Sequence, residues 1–121
     1  MKKENGILVT GSSGLLGAPI VKSLLKDGYN VIGLDPIDLN EQHKNFDYFW
    51  SDNLNVDTIH LCLEKYKINK IIHAGGISGP MLFNENPYII INNNIFLTLN
   101  LIEAVRLYKK VIRVIFCSSI S

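Results

Sequence analysis

The sequence predicts an α/β protein built on a doubly wound parallel sheet of about five strands in the order 3-2-1-4-5. Three observations carry this expectation. Short apolar runs alternate with longer segments of helical period along nearly the whole chain. The runs are apolar throughout and do not alternate, as is usual for strands covered on both faces. A glycine-rich turn joins the first run to the first helical segment. Right-handed crossovers then leave few topologies open.

Residues 6–10 read as a buried strand. Residues 15–26 carry apolar side chains at 16, 20, 21, 24 and 25, close to a 3.6 period, and Gly28 follows as a stop. Pro19 is out of place in that helix, because its ring disturbs the bond to the Leu15 carbonyl; a kink or a late start is expected. Residues 30–34 form the second strand, ending at Asp35, and 36–45 are a polar loop. Residues 46–50 form a short aromatic strand, 56–66 a helix and 70–74 a fourth strand. A Gly/Ser/Pro loop covers 75–85. Asn86 and Pro87 then read as an N-cap and first helical residue, starting a helix that runs to about Lys109. Asn92, Asn93 and Asn94 interrupt its pattern with poor helix formers. Residues 111–117 are the fifth strand.

The chain of 121 residues and 13.6 kDa is long enough for one domain. A net charge of +1 provides no basic excess for a nucleic-acid backbone. Cys62 and Cys117 lie far apart with no CxxC near either, so neither a disulfide framework nor a metal site is expected. The only apolar run near the N-terminus is Ile7-Leu8-Val9, too short for a signal peptide or a membrane span. A cytoplasmic protein is the expectation. Asn, Ile and Lys make up 40 of the 121 residues, which lowers the weight of any single Asn as a functional signal.

The turn Thr10-Gly11-Ser12-Ser13-Gly14-Leu15-Leu16-Gly17 spaces its glycines as GxxGxxG between a strand and a helix. Gly11 permits the tight turn, Gly14 close approach of a pyrophosphate, and Gly17 close packing of helix on sheet. The helix N-terminus adds free N–H groups and a positive dipole end. No Lys-Ser/Thr pair follows the last glycine, which excludes a Walker P-loop. Asp35 ends the second strand 18 residues after Gly17. A carboxylate there can accept hydrogen bonds from an adenosine ribose and repel a 2′-phosphate, which favours NAD over NADP. An Asp at a strand end can also simply cap the next turn. Asp52, after the third strand, is placed for the adenine or for the N-cap of the second helix.

Four motifs in order resemble the NAD-dependent epimerase/dehydratase family, the extended short-chain dehydrogenases/reductases. Thr10 to Gly17 matches TGxxGxxG. Ser51-Asp52-Asn53-Leu54 is similar to a Gly-Asp-hydrophobic segment that reads the adenine, with Asn53 departing from the usual apolar residue. Ile71-Ile72-His73-Ala74-Gly75-Gly76 resembles a segment whose backbone lies along the cofactor. Asn94-Ile95-Phe96-Leu97-Thr98 resembles an Asn-Val-x-Gly-Thr helix motif, with Leu97 in place of Gly. The resemblance implies a Rossmann-like fold that binds NAD through Gly11, Ser12, Ser13, Gly14, Leu15, Leu16, Gly17, Asp35, Asp52, Asn53, Ala74, Gly75, Gly76 and Asn94. His73 reads as a buried histidine with one satisfied hydrogen bond.

Phe116 to Ser121 resembles the family's fifth strand and the turn with its catalytic Ser or Thr, which Ser119 matches; a Ser-rich strand end is the plainer reading. The resemblance implies a Tyr-x-x-x-Lys pair about two dozen residues further on, a sixth strand and a C-terminal domain that binds a nucleotide sugar. The sequence does not contain these, so 1–121 is expected to be the incomplete dinucleotide-binding part of an oxidoreductase that moves a hydride to and from a sugar carbon. A stand-alone binding module or a truncated gene product is the alternative. A methyltransferase is disfavoured, since its acidic-Gly-x-Gly-x-Gly turn is not matched. Tyr66 and Lys70 do have the Tyr-x-x-x-Lys spacing, but they precede the fourth strand and would not share a helix face. The fifth strand would be an apolar edge, open to pairing with another chain. The resemblance implies the helix from Pro87 as a candidate homodimer face, while its apolar residues could equally all face the sheet.

Overall fold

In the computed structural model the apolar runs become five parallel strands, and residues 6–51, 55–75 and 87–117 are described. The elements in order are β1 (Gly6–Thr10), α1 (Gly17–Lys26), β2 (Val31–Asp35), β3 (Phe46–Trp50), α2 (Val56–Lys65), β4 (Ile68–His73), α3 (Pro87–Tyr108) and β5 (Arg113–Phe116). The strand order is β3-β2-β1-β4-β5, as expected.

The two faces of β1 show why its sequence does not alternate. Leu8 packs with Ile32, Leu34 and Ile71 against Ile59, Cys62 and Leu63 of α2 and Leu101 and Ala104 of α3. Its neighbour Val9 points the other way, with Val31, against Val21 and Leu25 of α1. Successive strand residues face opposite sides, so a strand covered by helices on both faces must be apolar at every position. Each such side chain contributes about 1.5–3 kcal/mol of burial.

α1 starts two residues later than its periodicity suggests. Pro19 therefore falls in the first turn, where its missing N–H costs no intrahelical bond. Ala18 N donates to Gly14 O and Ile20 N to Leu16 O on either side of it. At the other end Gly28 takes φ +88°, and its N–H donates to Leu25 O. The N-cap of α2 is Asn55, whose Oδ1 accepts the Thr58 N–H at 2.8 Å, so that role does not fall to Asp52. β4 begins at Ile68, two residues earlier than predicted, because Ile68 pairs with Gly6 and fills the core. α3 runs from Pro87 to Tyr108 as expected, through the poor helix formers Asn92, Asn93 and Asn94; Leu101 and Ala104 anchor it on the core, and packing outweighs local propensity. Tyr66 is the C-cap of α2 and Lys70 lies in β4, so this pair shares no helix.

β5 is the sheet edge beyond β4, with Ile115 and Phe116 about half exposed. Ile91, Ile95, Phe96, Leu99 and Ile102 of α3 are also largely exposed. No helix among the described residues is long and apolar enough to cross a membrane.

The two thiols differ sharply. Cys62 is fully buried in the core, and burial pushes its thiol up to about 12, whereas Cys117 is exposed after β5. A thiol-specific reagent at pH 8 is expected to label Cys117 rapidly and Cys62 only on unfolding. Fast labelling of two thiols per native chain would contradict this packing.

Candidate functional site

The chain runs outward from β1 through β2 to β3, then returns to place β4 on the other side of β1. The crevice at the carboxyl ends of β1 and β4 is therefore the switch point where ligands bind in such sheets. Three loops meet there: the glycine turn, the segment after β2, and the segment after β4.

The glycines are required by geometry. Gly11 has φ +66°, and a Cβ on it would lie 2.7 Å from the Ala74 carbonyl oxygen and the Gly75 Cα. A Cβ on Gly17 would lie 1.9 Å from Gly11 O, so this position sets how closely α1 seats on the turn. Gly14 differs, since a Cβ there would meet only Gly11 O, at 3.2 Å. Its outer side is open. Leu15 and Leu16 are 93% and 58% exposed. The N-cap of α1 is Leu16, which makes no side-chain cap bond, and the first turn holds no acid. The positive end of the helix thus has no compensating charge from its own first turn.

Asp35, nearly buried, joins the glycine turn to the loop after β2. Its Oδ2 accepts the Ser13 N–H at 3.1 Å and its Oδ1 accepts the Ile37 N–H at 2.8 Å. The turn-capping role considered from sequence is therefore present, and the same carboxylate also holds the glycine turn. Each oxygen keeps a lone pair for a further donor. The Ser13 hydroxyl donates to Ile37 O. The Tyr48 hydroxyl donates to the Asp35 carbonyl at 2.7 Å. Burial, then the charges of Asp38 and Asp35, raise the Tyr48 phenol above its ordinary value, which keeps the proton on this donor.

Ser12 packs against Gly33, and its Oγ is buried without a hydrogen-bond partner among the described residues. Ser12→Ala is expected to raise stability by about 1 kcal/mol, since it removes an unmet polar group without opening a large void. A urea titration measures this; a loss of stability would mean that the hydroxyl has a partner.

On the β4 side, Gly75 N–H donates to Thr10 Oγ1 at 2.9 Å and Ala74 N–H to Thr10 O at 3.2 Å. Thr10 Oγ1 also lies 2.7 Å from His73 Nδ1, and His73 Nε2 lies 3.2 Å from Thr98 Oγ1. Both ring nitrogens of His73 are thus engaged, not one. Burial lowers the His73 pKa, favouring the neutral ring. Asn94 is half-buried on α3, four residues before Thr98 and so on the same helix stripe.

The structure brings Gly11, Ser12, Ser13, Gly14, Gly17, Asp35, Ala74 and Gly75 to one crevice, with Leu15 and Leu16 on its outer lip. Asp52, Asn53, Gly76 and Ser119 lie outside the described residues. Thr10, Thr98 and Tyr48 shape the site without having been singled out. Thr10 opens the glycine motif and Thr98 closes the 94–98 segment, so both were within view, whereas no sequence signal marks Tyr48. A dinucleotide suits this arrangement: Gly14 and the α1 N-terminus can take the pyrophosphate, Asp35 a ribose, and the Ala74–Gly75 backbone the further half.

The chain is similar to known proteins in sequence and in fold. UDP-glucuronate 4-epimerase of Thermodesulfobacterium geofontis is 33% identical over 112 residues, covering 82% of this chain and 35% of that protein. UDP-glucose 4-epimerase of Pisum sativum is 31% identical over 111 residues, covering 80% and 32%. The chain therefore spans about a third of the length of these curated relatives. Among solved structures, UDP-glucose 4-epimerase from Brucella ovis in complex with NAD superposes with a TM-score of 0.79 at 28% identity, covering 93% of this chain and 35% of that one. A uronate dehydrogenase mutant from Agrobacterium tumefaciens complexed with NAD gives 0.78 at 27%, covering 97% and 42%. Residues 7–121 match the family of NAD dependent epimerases/dehydratases. With that match added to the sheet order and the glycine crevice, the chain belongs to the NAD-dependent epimerase/dehydratase family.

Proposed function

We propose that this chain is the NAD-binding part of a cytoplasmic oxidoreductase of the sugar-nucleotide epimerase/dehydratase type. The observation that carries this is the crevice in which Gly11 and Gly75 touch beneath the bare N-terminus of α1, with the Asp35 carboxylate at its side. Gly14 leaves room for the pyrophosphate, and the first turn of α1 faces its charge. Asp35 accepts from the adenosine ribose, and its charge disfavours a 2′-phosphate, hence NAD over NADP. Asp52 and Asn53 are assigned to the adenine, and Gly76 and Asn94 to the nicotinamide half.

Bound NAD supplies a hydride acceptor and donor for a sugar carbon. The hydroxyl of Ser119 is assigned to hydrogen-bond the substrate oxygen at that carbon. A nucleotide sugar is the favoured substrate, in keeping with the UDP-sugar epimerases among the relatives. The exposed apolar residues of α3 support a homodimer through that helix. Calorimetric titration with NAD, NADP and S-adenosylmethionine tests the reading. Binding of NAD more tightly than NADP, with no binding of S-adenosylmethionine, is expected; absence of any dinucleotide binding would overturn it.

A further inference from the structure

We infer that Thr98 is a positioning residue for the dinucleotide: acting through His73 and Thr10, it fixes the Gly75 amide against the glycine turn. The inference rests on the dinucleotide reading above. Its basis is a chain of three hydrogen bonds that crosses from α3 through β4 to β1. Thr98 Oγ1 lies 3.2 Å from His73 Nε2, His73 Nδ1 lies 2.7 Å from Thr10 Oγ1, and Gly75 N–H donates to Thr10 Oγ1 at 2.9 Å.

In one proton arrangement Thr10 acts as acceptor and donor at once within the chain. Gly75 N–H donates to Thr10 Oγ1, the Thr10 hydroxyl donates to His73 Nδ1, and His73 Nε2–H donates to Thr98 Oγ1. His73 is buried and meets Phe116 edge-on at 5.7 Å, so the protein supplies the partners of its ring. In this arrangement Thr98 is the acceptor that holds the Nε2–H tautomer. Without its hydroxyl, Nε2–H has no acceptor, and the proton is better placed on Nδ1. Nδ1–H must then donate to Thr10 Oγ1, the Thr10 hydroxyl proton loses its acceptor and turns away, and the oxygen must accept from Nδ1–H and Gly75 N–H together, which reorients its bond to the Gly75 amide. Gly75 has little slack, since a Cβ on it would lie 3.0 Å from Thr10 Oγ1 and 3.3 Å from Gly11 N. Any shift of its amide is therefore felt by the glycine turn.

The test combines NAD titration with the ¹⁵N shifts of the His73 ring, in the native chain and in Thr98→Val, which keeps the shape and removes the hydroxyl. The native chain is expected to bind NAD and to show the Nε2–H tautomer. Thr98→Val should shift the ring toward Nδ1–H and weaken NAD binding about fivefold to tenfold. Thr98→Ser should restore both. Thr98→Ala, free of any crowding from valine, should behave as Thr98→Val. Unchanged NAD affinity in folded Thr98→Val or Thr98→Ala, or no recovery in Thr98→Ser, overturns the inference and leaves the dinucleotide reading intact. A native chain that binds neither NAD nor NADP overturns both, and it does so before any substitution is made.

Discussion

Gly17→Ala is expected to destabilise the chain by about 3 kcal/mol or more and to abolish dinucleotide binding. The new Cβ would lie 1.9 Å from the Gly11 carbonyl oxygen and 2.7 Å from its carbon. These are backbone atoms in a turn already held by Gly14 N–H on the same oxygen at 3.0 Å, so no side chain can swing away. Relief requires α1 to lift off the sheet, which would pull Val21 and Leu25 out of their contacts with Val9 and Val31. Gly14→Ala is the informative contrast. Its Cβ meets one atom, at 3.2 Å, so the fold should survive while the open side proposed for the phosphates is lost. Urea denaturation and NAD titration of both variants separate the two roles. Native-like stability of Gly17→Ala would show that α1 is seated differently.

Asp35→Ala should weaken NAD binding by about 30- to 100-fold and narrow the gap between NAD and NADP. Two effects act in the same direction. The carboxylate accepts the N–H groups of Ser13 and Ile37, so its removal frees the glycine turn from the loop after β2. It also removes the acceptor assigned to the ribose and the negative charge that opposes a 2′-phosphate. Asp35→Asn keeps one amide oxygen as an acceptor and should retain part of the turn, yet it loses the charge. Its NADP affinity should therefore rise relative to its NAD affinity. A variant series in which the NAD-to-NADP ratio never moves would assign Asp35 a capping role alone.

The particular differences between sequence reading and structure have physical causes. Strand residues 6–10 were legible to the residue, because a run that is buried on both faces has a plain signature, and 46–50 were legible from their aromatic run, although β3 is a half-buried edge strand that carries Asp47. The late start of α1 was visible in Pro19, whose missing N–H is tolerated only in a first turn. The extent of α3 from Pro87 was legible despite three asparagines of poor propensity, and its packing with α2 in the core holds it there. Of the site, the glycine turn and Asp35 were legible, since backbone conformation and close approach demand particular residue types at fixed spacing. The partners of those residues were not.

The sequence by itself determined the fold class, the strand order and the position of the glycine-rich turn. Each depends on local periodicity, on handed crossovers or on glycines within one short segment. Tertiary structure alone decided that Asp35 reaches back 22 residues to Ser13, that Thr10 and Gly75 meet across 65 residues, and that Thr98 stands at the far nitrogen of His73. These contacts join residues distant in the chain, and no pattern along one segment encodes which side chains parallel strands and a crossing helix bring within 3 Å or so of one another. The hydrogen bonds that shape the crevice exist only once the sheet has paired β1 with both β2 and β4.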